Sequence, residues 1–380
     1  MPGARPQGRS TARLITPART GGIIADGLQT VTMPGGTNGV KRPRPPYLRS
    51  RAEIRLLLTA LVGGFAYGLL VRLLFSDRLP ESALFGAVFA VMSVAFLFLM
   101  PLALGFLVVS LGERAGAWPV RYWLMVPWVP ACAALAAALL LAWEGLICIV
   151  LWLPLFMVMS SLGGLASGWW GRRRRRLRGN GGGAVLAGVL LLPFVVAPME
   201  SRFAAPVEVR RVATSIEIAT EPGAVWREIV AVPPIRREEQ GWHLVHVIGF
   251  PRPIEAKSFG TGVGSIRHAT FDRGVLFVET VTRFEVARAL AFSIAADPDT
   301  IPAQALDQHV TVGGPYFDVL EGEYTIEAVA PGRVRLHLAS RHRLSTHFNF
   351  YAGAWTDFIL RDVQENILEV VKRRAERRYP

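Results

Sequence analysis

Thr214-Ser215-Ile216-Glu217-Ile218-Ala219-Thr220-Glu221-Pro222-Gly223-Ala224-Val225-Trp226 decides how the second half of this chain is read. Thr214, Ile216 and Ile218 alternate with Ser215 and Glu217, and a period of two predicts a strand. Pro222 has no amide hydrogen to leave unpaired, so it suits the first turn of a helix. Val225, Trp226, Ile229 and Val230 then recur at helical spacing, which predicts a helix over 223–232. Pro233-Pro234 ends it, and a second short helix is expected to follow.

Working towards the C-terminus, strands are expected over 264–271, 275–286 and 290–296. In 275–286, strict alternation puts Leu276, Val278, Thr280, Thr282, Phe284 and Val286 on one face. Glu279 then shares the other face, read as the outer one, with Phe277, Val281 and Arg283. Residues 297–316 read as a long loop, and 316–329 and 333–344 as a hairpin turned at Pro331-Gly332. In the last strand Val334, Leu336, Leu338, Ser340, His342 and Leu344 share a face. A helix over 351–374 carries an apolar stripe that includes Tyr351, Trp355, Phe358, Val363 and Val371. An antiparallel sheet with one bare apolar face needs such a helix across it. The expected result is an α+β cup with a cavity between sheet and helix.

The first half reads differently. Mean hydropathy is +0.34, with 51% hydrophobic and only 19% charged residues, which argues for membrane segments. The net charge of +13 is concentrated in two places. Residues 1–52 net +8, and 172–178 hold six arginines. Residues 201–380 carry 22 basic and 22 acidic side chains. No aromatic residue interleaves with the arginines, so a nucleic-acid partner is not expected. Residues 1–50, rich in Gly, Pro, Arg and Thr, read as a disordered basic tail.

Within 53–199, about five transmembrane helices are expected: 54–75, 82–111, 124–143, 146–165 and the shorter 184–197. The run 124–165 is too long for one crossing and is divided at Glu144-Gly145. Five crossings bring both basic segments to one side. The expected localisation is therefore the inner (cytoplasmic) membrane, N-terminus in the cytoplasm and C-terminal domain outside it. Glu144 is read as an interfacial turn residue, with an intramembrane functional carboxylate as the alternative. Cys132 and Cys148 are read as small apolar packing residues.

The strand leading into Pro222-Gly223-Ala224-Val225-Trp226, and the C-terminal amphipathic helix with Trp355, resemble the SRPBCC superfamily of START-like helix-grip domains over 204–377. The resemblance implies an antiparallel sheet wrapped on a long C-terminal helix, with an apolar cavity for a hydrophobic small molecule. The superfamily includes polyketide cyclases, lipid-transfer proteins, hormone receptors and coenzyme Q-binding proteins, and it offers no universal catalytic residue to carry over. The five-span half departs from its usual soluble members.

Parity places Leu336, Leu338 and His342 on the cavity face, with Tyr324 and His268 joining them and Tyr351, Trp355 and Phe358 facing them from the helix. His342 is the candidate for polarising a ligand carbonyl or hydroxyl. A hydrogen-bonded core histidine is the plainer reading. His243-x-x-His246 has no acidic neighbour in sequence, so no metal site is expected. Gly260-Thr261-Gly262-Val263-Gly264 reads as a turn or rim loop, and no nucleotide or hydrolase motif appears, so no cofactor is expected. The leading expectation is a membrane-anchored protein that binds or transfers a lipid, isoprenoid or polyketide-like molecule, with the bilayer and that ligand as its partners. A cyclase/dehydratase-type enzyme and a ligand-sensing membrane regulator are the alternatives.

Overall fold

A computed structural model describes residues 50–75, 88–177, 182–296 and 309–378. The expected tail, the stretch between the first two expected spans, the start of the second span and most of the 297–316 loop lie outside the described residues. Among the described residues, six helices are named before the sheet: α1 (Arg51–Leu74), α2 (a π turn Ala95–Leu99 continued by Met100–Gly112), α3 (Val120–Met125), α4 (Trp128–Leu140), α5 (Leu146–Leu177) and α6 (Gly182–Glu200). Among the described residues, five segments are long and apolar enough to cross a membrane, α3 and α4 counting as one.

Local chemistry explains several of these bounds. Ser50 and Glu53 cap α1 reciprocally, each side chain accepting from the other's backbone amide at 3.1 and 3.2 Å. Within the described part of the second run, a π turn opens at Ala95, where the Glu200 carboxylate accepts from the amides of Val94 (2.8 Å) and Ala95 (3.0 Å). The last residue of α6 thus satisfies the open N-terminus of α2. The third run, expected as one helix, is interrupted at Pro127, which has no amide to donate. The arginine run is not a free loop at its start. Arg172–Arg175 continue α5, with the Arg172 guanidinium 4.1 Å over the Trp123 ring and Arg175 paired with Glu113. The fifth run is a full 19-residue helix.

α2 is the central helix of this half, buried along most of its length. Its backbone touches that of α5. A Cβ added at Gly105 would lie 1.9 Å from the Ser160 oxygen, and one at Gly163 would lie 1.9 Å from the Leu102 oxygen. Only glycine permits that approach. Leu58, Val62, Leu140, Leu162, Leu191 and Val195 stay exposed and give the helices an apolar exterior.

The second half is one seven-stranded antiparallel sheet in the order β1-β7-β6-β5-β4-β3-β2. The strands are β1 (Val207–Ile218), β2 (Pro253–Phe259), β3 (Ile266–Phe271), β4 (Leu276–Glu285), β5 (Ala289–Ala296), β6 (Phe317–Ala330) and β7 (Arg333–Ser345). Helix α7 (Pro222–Val230) and a short α8 (Leu244–Val247) separate β1 from β2, and α9 (Asn349–Arg378) closes the chain. β1 is longer than the expected 214–218 and pairs with β7 from Val207↔Ser345 to Ile218↔Val334. β2 was not expected. It is an edge strand beginning on Pro253, and an edge tolerates the missing donor. The glycine run 260–264 is the turn between β2 and β3, with Gly260, Gly262 and Gly264 at φ of 93°, 88° and 86°.

α9 lies across β1 and β7 as a helix-grip arrangement requires. The Gln364 amide sits between the Thr214 and Ser340 hydroxyls, 2.9 Å from each. Leu368, Val371 and Ala375 pack into a cluster with Trp226, Ile326, Leu336 and Leu338. A second cluster runs without a break from Val71, Phe96 and Trp152 in the apolar helices to Phe250, Phe317, Phe348 and Ile359 in the α+β half. The Tyr351 hydroxyl donates to the Leu151 oxygen at 2.5 Å, and the Phe98 ring lies 6.2 and 5.8 Å from those of Phe348 and Phe350. The two halves therefore share one core at this junction.

Candidate functional site

Three groups of side chains on the inner side of the sheet are candidates. The first is a buried ion pair. Arg267 on β3 is directly opposite Glu279 on β4, and Arg267 Nη1 lies 3.1 Å from Glu279 Oε2. Both side chains are nearly sealed from solvent, at 3% and 9% exposure. The Arg267 guanidinium lies 4.8 Å over the Phe292 ring, and the buried Tyr324 is close by, its ring 6.2 Å from that of Phe292. Arg267 Nε and Nη1 and Glu279 Oε2 have no hydrogen-bond partner of good geometry among the described residues. Burial pushes the Glu279 carboxyl up to about 7, against the pull of Arg267, and pushes the Tyr324 phenol up to about 12. A guanidinium, a carboxyl near neutrality and a phenol on one apolar wall can polarise a carbonyl and exchange a proton with it.

The second group surrounds His342, which is wholly buried on β7. Its Nε2 is 3.2 Å from the Thr356 hydroxyl and 3.6 Å from Asp357 Oδ1. Arg210 holds Asp357 through two hydrogen bonds of 3.1 and 2.5 Å. Desolvation pushes the imidazole down from its ordinary value, with Asp357 opposing the shift.

The third is a cavity of about 70 Å³ at the junction of the two halves. Leu97 and Trp152 from the apolar helices and Phe348, Tyr351, Trp355 and Thr356 from α9 and its approach are among its walls. Thr356 is shared with the His342 group, which links the second and third candidates.

The residues singled out in sequence are thus distributed rather than gathered. Tyr351 and Trp355 line the junction cavity, and His342 stands one hydroxyl behind it. Leu336, Leu338 and Tyr324 face inward as parity requires but pack in the cluster at the far end of α9. Phe358 is 40% exposed. His268 corrects the parity reading. Its neighbours Arg267 and Ala269 are buried, so its own ring lies on the outer face, 4.8 Å from the exposed Phe259.

Glu279 corrects it in the opposite sense. It was assigned to the outer face and is buried on the inner one. The cause is a bulge at Thr282, where the β4–β5 register jumps from Val281↔Phe292 to Arg283↔Ala291. Phe284 therefore faces inward with Phe277 and Val281, although strict alternation had assigned it to the other side. His243 does have acidic neighbours, supplied by α9. Its Nδ1 is 2.9 Å from Asp362 Oδ1, while His246 is bonded to the Phe250 oxygen and to Asn366. The two rings brace α8 on α9 through different partners.

No family model matches the chain, and no curated protein matches it. Among solved structures, the Zhui aromatase/cyclase from Streptomyces sp. R1128 is 18% identical, over 46% of this chain and 97% of its own, with a TM-score of 0.29. Truncated norcoclaurine synthase from Thalictrum flavum is 14% identical, over 43% and 94%, with a TM-score of 0.27. An uncharacterised protein from Bacillus thuringiensis is 16% identical, over 42% and 99%, with a TM-score of 0.23. Likenesses this remote leave the site's chemistry to be argued from its own residues.

Proposed function

We propose that this chain is a membrane-attached helix-grip protein that receives a hydrophobic small molecule, of lipid, isoprenoid or polyketide-like class, at the junction of its apolar helices and its α+β half. The observation that carries this reading is the shared wall of the junction cavity, apolar helices on one side and α9 on the other. A ligand entering there passes from the bilayer without crossing water. At about 70 Å³ the cavity is smaller than the roughly 300–1,000 Å³ of drug-sized sites, so this reading requires the cavity to widen on entry. Ala352, on its wall, gives the test. Ala352→Phe is expected to weaken binding of a pyrene-labelled acyl probe by about tenfold or more, a cost of about 1.4 kcal/mol. The melting temperature should stay nearly unchanged. Undiminished probe binding would remove the junction cavity as the site.

The five apolar helices are read as crossing the inner (cytoplasmic) membrane with the arginine-bearing ends inside. Arg51 opens α1, and Arg172–Arg175 end the long α5 well away from Leu151, where α9 docks. One basic end and one domain-bearing end fit the positive-inside rule. Alkaline phosphatase fused after Pro380 should be active and a fluorescent cytoplasmic reporter there silent. The reverse pattern would refute this topology.

One observation favours an enzyme of the cyclase or dehydratase type as a second reading. Glu279, titrating near 7 beside Arg267, can take a proton from the carbon between two carbonyls while the guanidinium bears the enolate charge. The enolate carbon then attacks a second carbonyl, and Glu279 returns the proton to the new alkoxide. Turnover of a poly-β-keto thioester that survives Glu279→Gln would exclude this route.

A further inference from the structure

Glu144 lies in the turn between α4 and α5, and it is no surface residue. Its side chain is fully buried, and Arg72 of α1 donates from Nε to its Oε1 at 2.7 Å. Its other oxygen, Oε2, is buried and accepts no hydrogen bond. His309 Nδ1 lies 3.4 Å from that oxygen. Cys148, in the first turn of α5, completes the group. Glu144, Cys148 and His309 each bring one donor atom within 4.8 Å of the others, and all three residues are buried. Cys148 and His309 also line the junction cavity.

We infer that Glu144, Cys148 and His309 form a zinc-binding site whose fourth coordination position faces the junction cavity. Zinc bonds to oxygen, nitrogen and sulfur of about 2.0–2.3 Å put the ligand atoms of a tetrahedral site roughly 3.3–3.7 Å apart. The Glu144–His309 separation of 3.4 Å already has that value, and it is long for a direct hydrogen bond. Thiolate with imidazole selects zinc over magnesium or calcium, which prefer oxygen ligands. Three protein ligands and one open position are the pattern of sites that bind a water or a substrate oxygen. Arg72 fixes the carboxylate so that Oε2 points at the metal, an outer-shell role. On binding, the Cys148 thiol releases its proton, and thiolate and carboxylate together offset two of the three positive charges carried by the ion and the Arg72 guanidinium. The burial of a carboxylate oxygen without a partner, costly by itself, is thereby accounted for. The site stands whether or not the cavity holds a hydrophobic ligand, because the metal alone is the probe.

The test uses the full chain in detergent, stripped with a chelator and titrated with cobalt(II), which reports thiolate ligation in its spectrum. One equivalent is expected to give a thiolate-to-cobalt charge-transfer band with tetrahedral d–d bands, and zinc should displace it. Cys148→Ser, nearly isosteric, should remove the charge-transfer band and weaken binding more than about a hundredfold, beyond the range typical of outer-shell losses. His309→Gln should weaken binding likewise, while Cys132→Ser and His337→Ala keep the wild-type spectrum. As a second readout, zinc should protect Cys148 from alkylation until chelator is added. No charge-transfer band in the wild-type chain, or one that survives Cys148→Ser, would overturn the assignment and leave Glu144–Arg72 as a structural pair.

Discussion

At pH 8, where the Glu279 carboxyl is ionised, Glu279→Leu alone is expected to destabilise the folded chain by about 3–5 kcal/mol, because it leaves the Arg267 guanidinium buried without a counter-charge. Arg267→Met combined with Glu279→Leu should recover that loss and exceed wild-type stability by about 1–4 kcal/mol, since an apolar pair of similar volume needs no desolvated charge. The pair also makes stability depend on pH. Glu279 titrates near 7 in the fold, above the ordinary carboxyl value of 4.5, so the folded state binds the extra proton between those values. Its contribution is full below about 4.5 and is lost as pH rises through about 7, a fall of about 3 kcal/mol. The double variant should lack this fall. Thermal and denaturant unfolding in detergent from pH 4 to pH 8 measures both effects. A single variant as stable as wild type would mean that the sheet's inner face admits water.

Gly163→Val should be at least as damaging. Its Cβ would lie 1.9 Å from the Leu102 oxygen and 2.8 Å from the carbonyl carbon, and backbone cannot rotate aside as a side chain can. α2 and α5 must separate, at a cost of about 3 kcal/mol or more. Gly188 of α6 has nothing within 4 Å of its added Cβ, so Gly188→Val is the control and should change little. Equal stability of the two variants in detergent melting would contradict the close α2–α5 contact.

How much of this was legible in sequence depended on whether the signal was local. The strand-to-helix step at Pro222, the turn at Gly332 and the parity of β7 follow from one residue's backbone or from uninterrupted alternation, and the structure agrees at each. The inward positions of Leu336, Leu338 and His342 come from the same parity. It failed for Glu279, where a single extra residue at Thr282 shifts the register. It failed for His268 because Arg267, a residue that pattern reading assigns to solvent, turns inward to meet Glu279. Length and hydropathy found the apolar runs but not their ends. The cap from Glu200 to Ala95 joins residues 105 apart, and no window along the chain contains both. The Glu144, Cys148 and His309 group is hidden for the same reason. Two of its members looked like a turn residue and a packing residue, and the third comes from beyond β5.

The central proposal is that an apolar molecule occupies the junction between the apolar helices and α9. Native mass spectrometry of the full chain, released from lipid nanodiscs beside the Ala352→Phe variant, tests it most directly. The wild-type chain is expected to retain one apolar adduct of defined mass through activation that strips bulk lipid, and the variant to appear bare. A bare wild-type chain, or an adduct equally abundant on both, would contradict the claim.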